Sequence, residues 1–470
     1  MSSPAHSRSD WASSVREITS SRILLWIAFV LVHLWLGLVN LHGPGLPLGD
    51  VSYVYKFWTD QAIVSHYWVG IDGSWVYPIV ALVPMLMARA FGPELYSSTW
   101  LSLAMVLDAV ALAFIVGWGR QRRHVAVGWW WVLFLLLLGP IALGRIDSIT
   151  VPLAIVGMLQ VAKRPGAAAA LLTIATWIKV WPAALLAAIV IAVRSRLRVV
   201  AVSVATSVAI VLAALALGAG SNVFSFVGQQ TARGLQVEAP VSTIWLWAGW
   251  AHVPNTYVYY DQVLLTWQVR GPGVSTASGL MTPLLALVLV GVVIVALLAM
   301  RRGARSLEVL PALSLAFVCA CIAVNKVGSP QYITWLAVPV ILGLVTRLEG
   351  HGRSFRTPAI IVLVLAVLTQ AIYPYLYGYL IGLNTVMLLV LSARNLLYFV
   401  LLVWSVVAVW RAPGLLGDRW FTDSTADAAV PPVAVPPVVW PFSAGKKPAD
   451  RHGAADGDRL DPETPTDRTT

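Results

Sequence analysis

Residues 23–39 read ILLWIAFVLVHLWLGLV, an apolar run whose polar interruption is His33. It lacks both the alternation of a half-buried strand and the polar stripe of a surface helix, and it approaches the ~20 apolar residues that a bilayer-spanning helix needs. Comparable runs recur down the chain. Of 470 residues, 59% are hydrophobic and 11% are charged, against about 25% charged in an ordinary soluble domain. In lipid the backbone must satisfy its own hydrogen bonds, so spans are helices or a closed barrel. Continuous rather than alternating runs select helices, and the expected fold class is an all-α polytopic membrane protein. The run 23–39 is long for a signal-peptide core and no small-residue cleavage site follows it, so it reads as an uncleaved first span.

Further spans are expected at about 96–117, 126–143, 148–162, 199–218, 281–300, 308–324, 331–346, 357–373 and 386–410, with ends uncertain by about 2–4 residues. The run 166–193 exceeds one helix; Lys179 and Pro182 divide it into two short helices meeting at one surface. About twelve spans result. Basic residues then fall on one side: Arg120, Arg122 and Arg123; Lys163 and Arg164; Arg194, Arg196 and Arg198; Arg301, Arg302 and Arg305; Arg347, Arg353 and Arg356. That side is cytoplasmic by the positive-inside rule. It accounts for the net charge of +11 without a nucleic-acid partner.

Three domains follow: a cytoplasmic N-terminal tail over 1–21, a transmembrane domain over 22–410, and a disordered cytoplasmic tail over 411–470. The last is marked by Val430-Pro431-Pro432 and Val435-Pro436-Pro437. Long outer loops are expected at about 43–95 and 219–280. Tyr77 to Phe91, with Pro84 and Arg89, reads as an interfacial or re-entrant helix within the first, because counting it as a span would put the 120–123 loop outside. Cys319 and Cys321, two apart in one helix, face different ways and form neither a disulfide nor a metal site. No internal repeat is visible, which disfavours inverted-repeat transporters.

With sides assigned, polar residues from six segments gather at the outer rim. They are Asp50, Lys56, His66 and Asp72; Arg145 and Asp147; Lys179; Arg233, Gln236 and Glu238; Asn325, Lys326, Gln331 and Tyr332; Arg394 and Asn395. Ionisable groups at membrane depth are costly and are functional candidates by default. The chemistry they suit is transfer from a lipid phosphate. A polyprenyl phosphate leaves more readily among cations, here Arg145, Lys179, Lys326 and Arg394. An acceptor hydroxyl needs a base, and Asp50 in Gly45-Leu46-Pro47-Leu48-Gly49-Asp50 is placed to be one. One carboxylate without a partner acid fits direct inverting displacement rather than the paired acids of glycoside hydrolysis. Tyr53, His66, Asp147, Arg233, Gln236, Glu238, Gln331 and Tyr332 are candidate substrate contacts. No His, Cys, Asp and Glu cluster shows metal-ligand spacing, so neither metal nor cofactor is expected.

Several motifs resemble a family: Gly49-Asp50, Tyr77-Pro78, Gly144-Arg145-Ile146-Asp147, Lys179-Val180-Trp181-Pro182, Arg233-Gly234-Leu235-Gln236-Val237-Glu238 and Ser329-Pro330-Gln331-Tyr332. In this order they resemble the actinobacterial polyprenol-phosphate-sugar-dependent membrane glycosyltransferases of the GT-C superfamily, glycosyltransferase family 87. That family includes alpha-1,2-mannosyltransferases of phosphatidylinositol mannoside and lipoglycan synthesis. The resemblance covers about residues 20–410. It implies a GT-C bundle in the bilayer, an outward-facing site, a polyprenyl-phosphate-mannose donor, a glycolipid or lipoglycan acceptor, and a first-loop Asp, here Asp50, as catalytic base.

Plainer readings stand beside these. Asp50 is also a good N-cap for a helix starting near Val51. Asp72, before Gly73, is a turn residue. Arg145 and Asp147 are a possible salt bridge, as are Arg233 with Glu238 and Arg394 with Asp108. Lys179 is free to snorkel, with Trp177 and Trp181 as boundary anchors. His66 suits a surface role, and Tyr332 and Trp335 suit the interface. Two other function classes compete with the enzyme, a lipid-linked sugar flippase and a scaffold without chemistry. Within the enzyme class, an arabinofuranosyl donor is the runner-up to mannose.

Overall fold

A computed structural model describes residues 20–231, 233–262 and 264–413. The two tails expected from the sequence therefore lie almost wholly outside the described residues. The bundle contains α1 (Arg22–His42), α2 (Tyr96–Ile115), α3 (Val125–Leu138), α4 (Asp147–Gln160), α5 (Pro165–Ile178), α6 (Ala183–Ala192), α7 (Arg196–Ala216), α8 (Val274–Arg301), α9 (Ser306–Ala323), α10 (Ile333–Leu348), α11 (Arg356–Gln370) and α12 (Thr385–Trp410). Among the described residues, nine stretches are long and apolar enough to cross a bilayer, counting the short extensions of α3 to Ala142, of α10 from Pro330 and of α11 to Tyr375. The protein is thus an all-α polytopic membrane protein. The helices α4, α5 and α6 are shorter, at 14, 14 and 10 residues. At about 1.5 Å per residue the longer two reach only ~21 Å of a ~30 Å hydrocarbon core.

Local chemistry sets the ends. Ser21 Oγ accepts from Leu24 N at 3.3 Å and caps α1. Asn384 Oδ1 accepts from Val386 N at 3.0 Å and Met387 N at 3.4 Å, capping α12. Pro165 opens α5 at the position where its missing N–H costs nothing. The helices α9 and α10 are buried nearly all round, whereas α7 and α8 turn mostly apolar surface outward. Both are apolar on every face, as a lipid-facing helix must be.

One end of the bundle is tied together by its basic loops. Arg302 Nη2 donates to Trp410 O at 3.0 Å, Arg353 Nη2 to Arg411 O at 3.5 Å, and His124 Nε2 lies 4.0 Å from Glu349. The opposite end carries the loops after α1, between α3 and α4, between α5 and α6, after α7, between α9 and α10, and before α12. The stretch 77–91 is helical only over Ile79–Met87, too short to cross. The second long loop holds a β-hairpin that was not expected, β1 (Tyr257–Asp261) against β2 (Thr266–Arg270), antiparallel with Tyr259 opposite Gln268. It also ends earlier than expected, because α8 starts at Val274.

Mid-bundle, Asp108 does not pair with Arg394. It meets His33 Nε2 at 3.1 Å, and His33 Nδ1 donates to Phe29 O at 2.9 Å. Both residues are buried. With Nδ1 occupied as a donor, the imidazole and the carboxylate share one proton and the pair stays neutral in lipid. Replacing Asp108 by Leu alone leaves a buried imidazole nitrogen unmatched, at a cost of about 1–3 kcal/mol. The double variant His33→Leu, Asp108→Leu is expected to recover most of that loss, read as the thermal midpoint of the purified protein in detergent.

Candidate functional site

Asp50 opens a π-helical turn, Asp50–Tyr55, directly after Gly49. Its carboxylate does not cap that turn, which has no side-chain cap. It reaches Arg145 instead, Oδ2 to Nε at 3.0 Å, and the other oxygen has no hydrogen-bond partner among the described residues. The Asp50 side chain is 41% exposed and that of Arg145 9%. Arg145 is held on all sides: Nη1 donates to Pro47 O at 2.9 Å and Gly144 O at 2.8 Å, and Nη2 to the Tyr373 hydroxyl at 2.8 Å. Burial opposes its charge, but the Asp50 carboxylate and the Tyr373 ring hold it protonated, above the ordinary arginine value.

Glycine at 144 is what lets these loops meet. A Cβ there would lie 2.8 Å from Pro47 O and 3.0 Å from Asn40 Oδ1. Asn40 in turn ties α1 to the turn after α3 by donating to Pro140 O at 2.9 Å. Next to them the Tyr55 and Tyr77 hydroxyls lie 3.4 Å apart. Burial, with the Asp50 carboxylate adding, pushes the Tyr77 phenol up to about 12, and burial, Tyr77 and Asp50 push Tyr55 well up. Both stay protonated near neutrality and serve as neutral donors. Tyr77 also sits in the field of Asp147 and Arg233, which joins the Asp50 corner to the rest of the rim.

The expected Arg145–Asp147 pair is replaced by two pairs. Asp147 is fully buried; its Oδ2 binds Lys179 Nζ at 2.6 Å and its Oδ1 accepts from Trp335 Nε1 at 2.5 Å. Lys179 therefore does not snorkel. It breaks the backbone between α5 and α6 in extended conformation and lies over the rings of Tyr332 and Trp335, at 5.4 and 5.7 Å. Trp335 stacks on Tyr332 at 4.2 Å and on Trp181 at 5.3 Å. Trp181 and Trp335 are thus buried walls of the site rather than boundary anchors.

Glu238 pairs not with Arg233 but with Arg394, Oε2 to Nη1 at 2.7 Å, while Arg394 Nη2 donates to the Glu238 carbonyl at 3.1 Å. Arg394 is 1% exposed, and Asn395 beside it donates to Thr243 Oγ1 at 2.9 Å. The segment carrying Glu238 is positioned by the hairpin: Val269 N donates to Leu235 O at 3.0 Å and Val237 N to Trp267 O at 3.1 Å. On its other edge Gln236 N donates to Lys326 O at 3.0 Å. Lys326 is buried, and burial holds its ammonium below the ordinary lysine value. Gln331 is buried, its side-chain oxygen accepting from Ser329 Oγ at 2.5 Å.

Of the residues expected at the site, the structure thus joins Asp50 to Arg145, Asp147 to Lys179 and Lys179 to the Tyr332 ring, Glu238 to Arg394, and Gln236 to Lys326, on loops and helix ends at one end of the bundle. Tyr53 lies on the Asp50 turn but is 65% exposed. His66 is exposed at a left-handed position (φ 53°) and is not brought to these residues. Asp72 is a turn residue, accepting from Trp68 N at 2.6 Å. Tyr55, Tyr77, Trp335 and Tyr373 belong to the site although they were not expected there; Tyr77-Pro78 and Tyr373-Pro374, each a Tyr–Pro step beside an apolar segment, were its signal.

Gly328 closes the rim on one side. A Cβ at this position would fall 2.2 Å from Ala239 N and from the Glu238 carbonyl carbon. Gly328→Val is therefore expected to force the 325–329 and 238–239 loops apart, lowering the thermal midpoint of the purified protein by several degrees, equivalent to at least ~1 kcal/mol.

The model of glycosyltransferase family 87 matches residues 75–330, which include Arg145, Asp147, Lys179, Arg233, Gln236, Glu238 and Lys326; Asp50 and Arg394 lie outside the match. No curated protein and no solved structure matches the chain. The family match spans more than half of the sequence and every long loop at the site end but the first half of one, and on it the chain belongs to glycosyltransferase family 87.

Proposed function

We propose that this membrane glycosyltransferase moves mannose from a polyprenyl-phosphate donor to a hydroxyl of a glycolipid or lipoglycan. Transfer occurs on the outer face of the cell membrane, with inversion, and Asp50 is the general base. The observation that carries the reading is the Asp50 carboxylate: half-exposed, one oxygen fixed by a buried Arg145, the other open. A base must sit within hydrogen-bond reach of the proton it takes, and here only the open oxygen is available to an acceptor. That oxygen suits a displacement in which the acceptor proton is released as the new bond to the sugar carbon forms and the bond to the phosphate oxygen breaks.

Of the four cations expected to hold the phosphate, Arg145, Lys179 and Arg394 each already carry a carboxylate. We assign them the positioning of those acids, and keep Lys326, whose carbonyl holds Gln236 N at 3.0 Å, among the proposed phosphate contacts. The outward orientation is supported by the basic loops, which gather at the other end of the bundle. A flippase would need polar groups along a path through the membrane. The mid-bundle pair His33–Asp108 is sealed instead, with side chains 1% and 3% exposed.

Asp50→Asn is expected to lower transfer of labelled mannose from polyprenyl-phosphate-mannose to lipid acceptors by about 10²-fold or more, the usual range for losing a general base, while the protein still accumulates in membranes. Full transfer by the Asn variant would end the base assignment. Arg145→Gln is expected to lower kcat with little change in donor KM, because it loosens the base and not the donor. Labelled arabinose entering product in the same assay would reassign the donor sugar.

A further inference from the structure

The stretch Arg233-Gly234-Leu235-Gln236 carries two side-chain donors that are buried without an acceptor. Arg233 Nε and Gln236 Nε2 are buried without a hydrogen-bond partner, and so is Nε of Arg394, which grips Glu238 in the same segment. Gln236 is 5% exposed and Arg394 1%. A buried N–H left without an acceptor costs about 1–3 kcal/mol, so native proteins rarely leave several together unless a ligand completes them. The missing group is one that only accepts, and an oxyanion is the ligand with that character.

Charge points the same way. Asp50, Asp147 and Glu238 are each matched by one cation, Arg145, Lys179 and Arg394. Arg233 makes no ion pair within the described residues, so its charge is not taken up by Asp50, Asp147 or Glu238. It stands in the field of the Tyr77 and Tyr332 hydroxyls, near the Asp50 and Asp147 loops. The segment is also rigidly placed. Gly234 packs where a Cβ would strike the Gln268 side chain, and Leu235 and Val237 are hydrogen-bonded to β2.

We propose that Arg233, with the Gln236 amide, is the cradle for the donor's phosphate, and that it takes up the charge which appears as the sugar leaves. This rests on the reading of the protein as a transferase that uses a lipid-phosphate sugar. In that reaction the bond from the sugar carbon to the phosphate oxygen breaks and the acceptor oxygen takes its place. The acceptor proton passes to the Asp50 carboxylate, and the phosphodiester, with one negative charge, leaves as a phosphomonoester with two. A fork of N–H donors beside the departing oxygen stabilises the second charge more than the first.

The test is binding of a polyprenyl phosphate and of the matching uncharged polyprenol to the purified full-length protein, followed by tryptophan fluorescence. The parent protein is expected to prefer the phosphate. Arg233→Gln is expected to weaken phosphate binding by about tenfold or more, a charge-assisted bond's worth, with polyprenol binding unchanged, and Arg233→Lys to fall between. Gln236→Leu, which removes the unmatched amide and keeps the volume, is expected to weaken the phosphate selectively too, and serves if Arg233→Gln does not fold. Unchanged phosphate affinity in Arg233→Gln or in Gln236→Leu overturns the cradle. The Asp50→Asn protein separates the two ideas. If it binds phosphate normally and is inactive while Arg233→Gln binds normally too, the cradle falls and the base stands. If it retains transfer while Arg233→Gln loses phosphate, the base falls and the cradle stands. A parent protein with no preference for the phosphate overturns the cradle and the lipid-phosphate donor together.

Discussion

The constraint that the site is built around is that a charge near lipid needs an opposite charge, and here each partner comes from a distant part of the chain. Asp50 on the first loop is met by Arg145 beyond α3, Asp147 by Lys179 between α5 and α6, and Glu238 by Arg394 inside α12. Breaking either buried pair, Asp147–Lys179 or Glu238–Arg394, by removing one partner costs about 3–5 kcal/mol, because a buried charge is left behind. Each pair therefore works as a clamp between helices as well as a local neutraliser. The site end of the bundle is fixed by three of them, and Gly144 and Gly328 remove the side chains that would hold the loops apart.

That arrangement divides the polar rim into two chemistries. One corner offers an acid held by a neighbouring arginine yet open to solvent, flanked by two tyrosine hydroxyls that stay protonated. The other presents N–H groups waiting for an oxygen. Tyr77, in the field of Asp50, Asp147 and Arg233, lies between them. A sugar transferred from a phosphate to a hydroxyl needs this division, a proton acceptor on one side of the sugar carbon and anion stabilisation on the other.

Much of the fold was legible because membrane spans are written in composition. The apolar runs, the split at Lys179 and the sidedness of the basic loops place twelve helices and bring the site loops to one end without any tertiary information. The hairpin was not legible because Tyr257, Val258, Tyr259 and Tyr260 follow one another without the apolar–polar alternation of a half-buried strand. The list of ionisable residues was legible too, since lipid makes such residues conspicuous. Their pairing was not. Arg145 with Asp147, Arg233 with Glu238 and Arg394 with Asp108 are neighbours in sequence or in depth; all but Arg233 found a different partner in space, and Arg233 makes no ion pair among the described residues. Local spacing carries no information about which loops a glycine allows to touch. The aromatic walls escaped for a related reason: Trp181 and Trp335 look like boundary tryptophans until their indole N–H groups are seen to serve Thr150 and Asp147.

Glu238 and Arg394 are separated by 156 residues. Ribosomes deliver the chain from its N-terminus, so the loop bearing Glu238 and the hairpin is made before α12. Arg394 then enters with its counter-ion already present in the chain, which lowers the cost of placing an arginine in lipid. Placing α12 and neutralising Glu238 are therefore the same event.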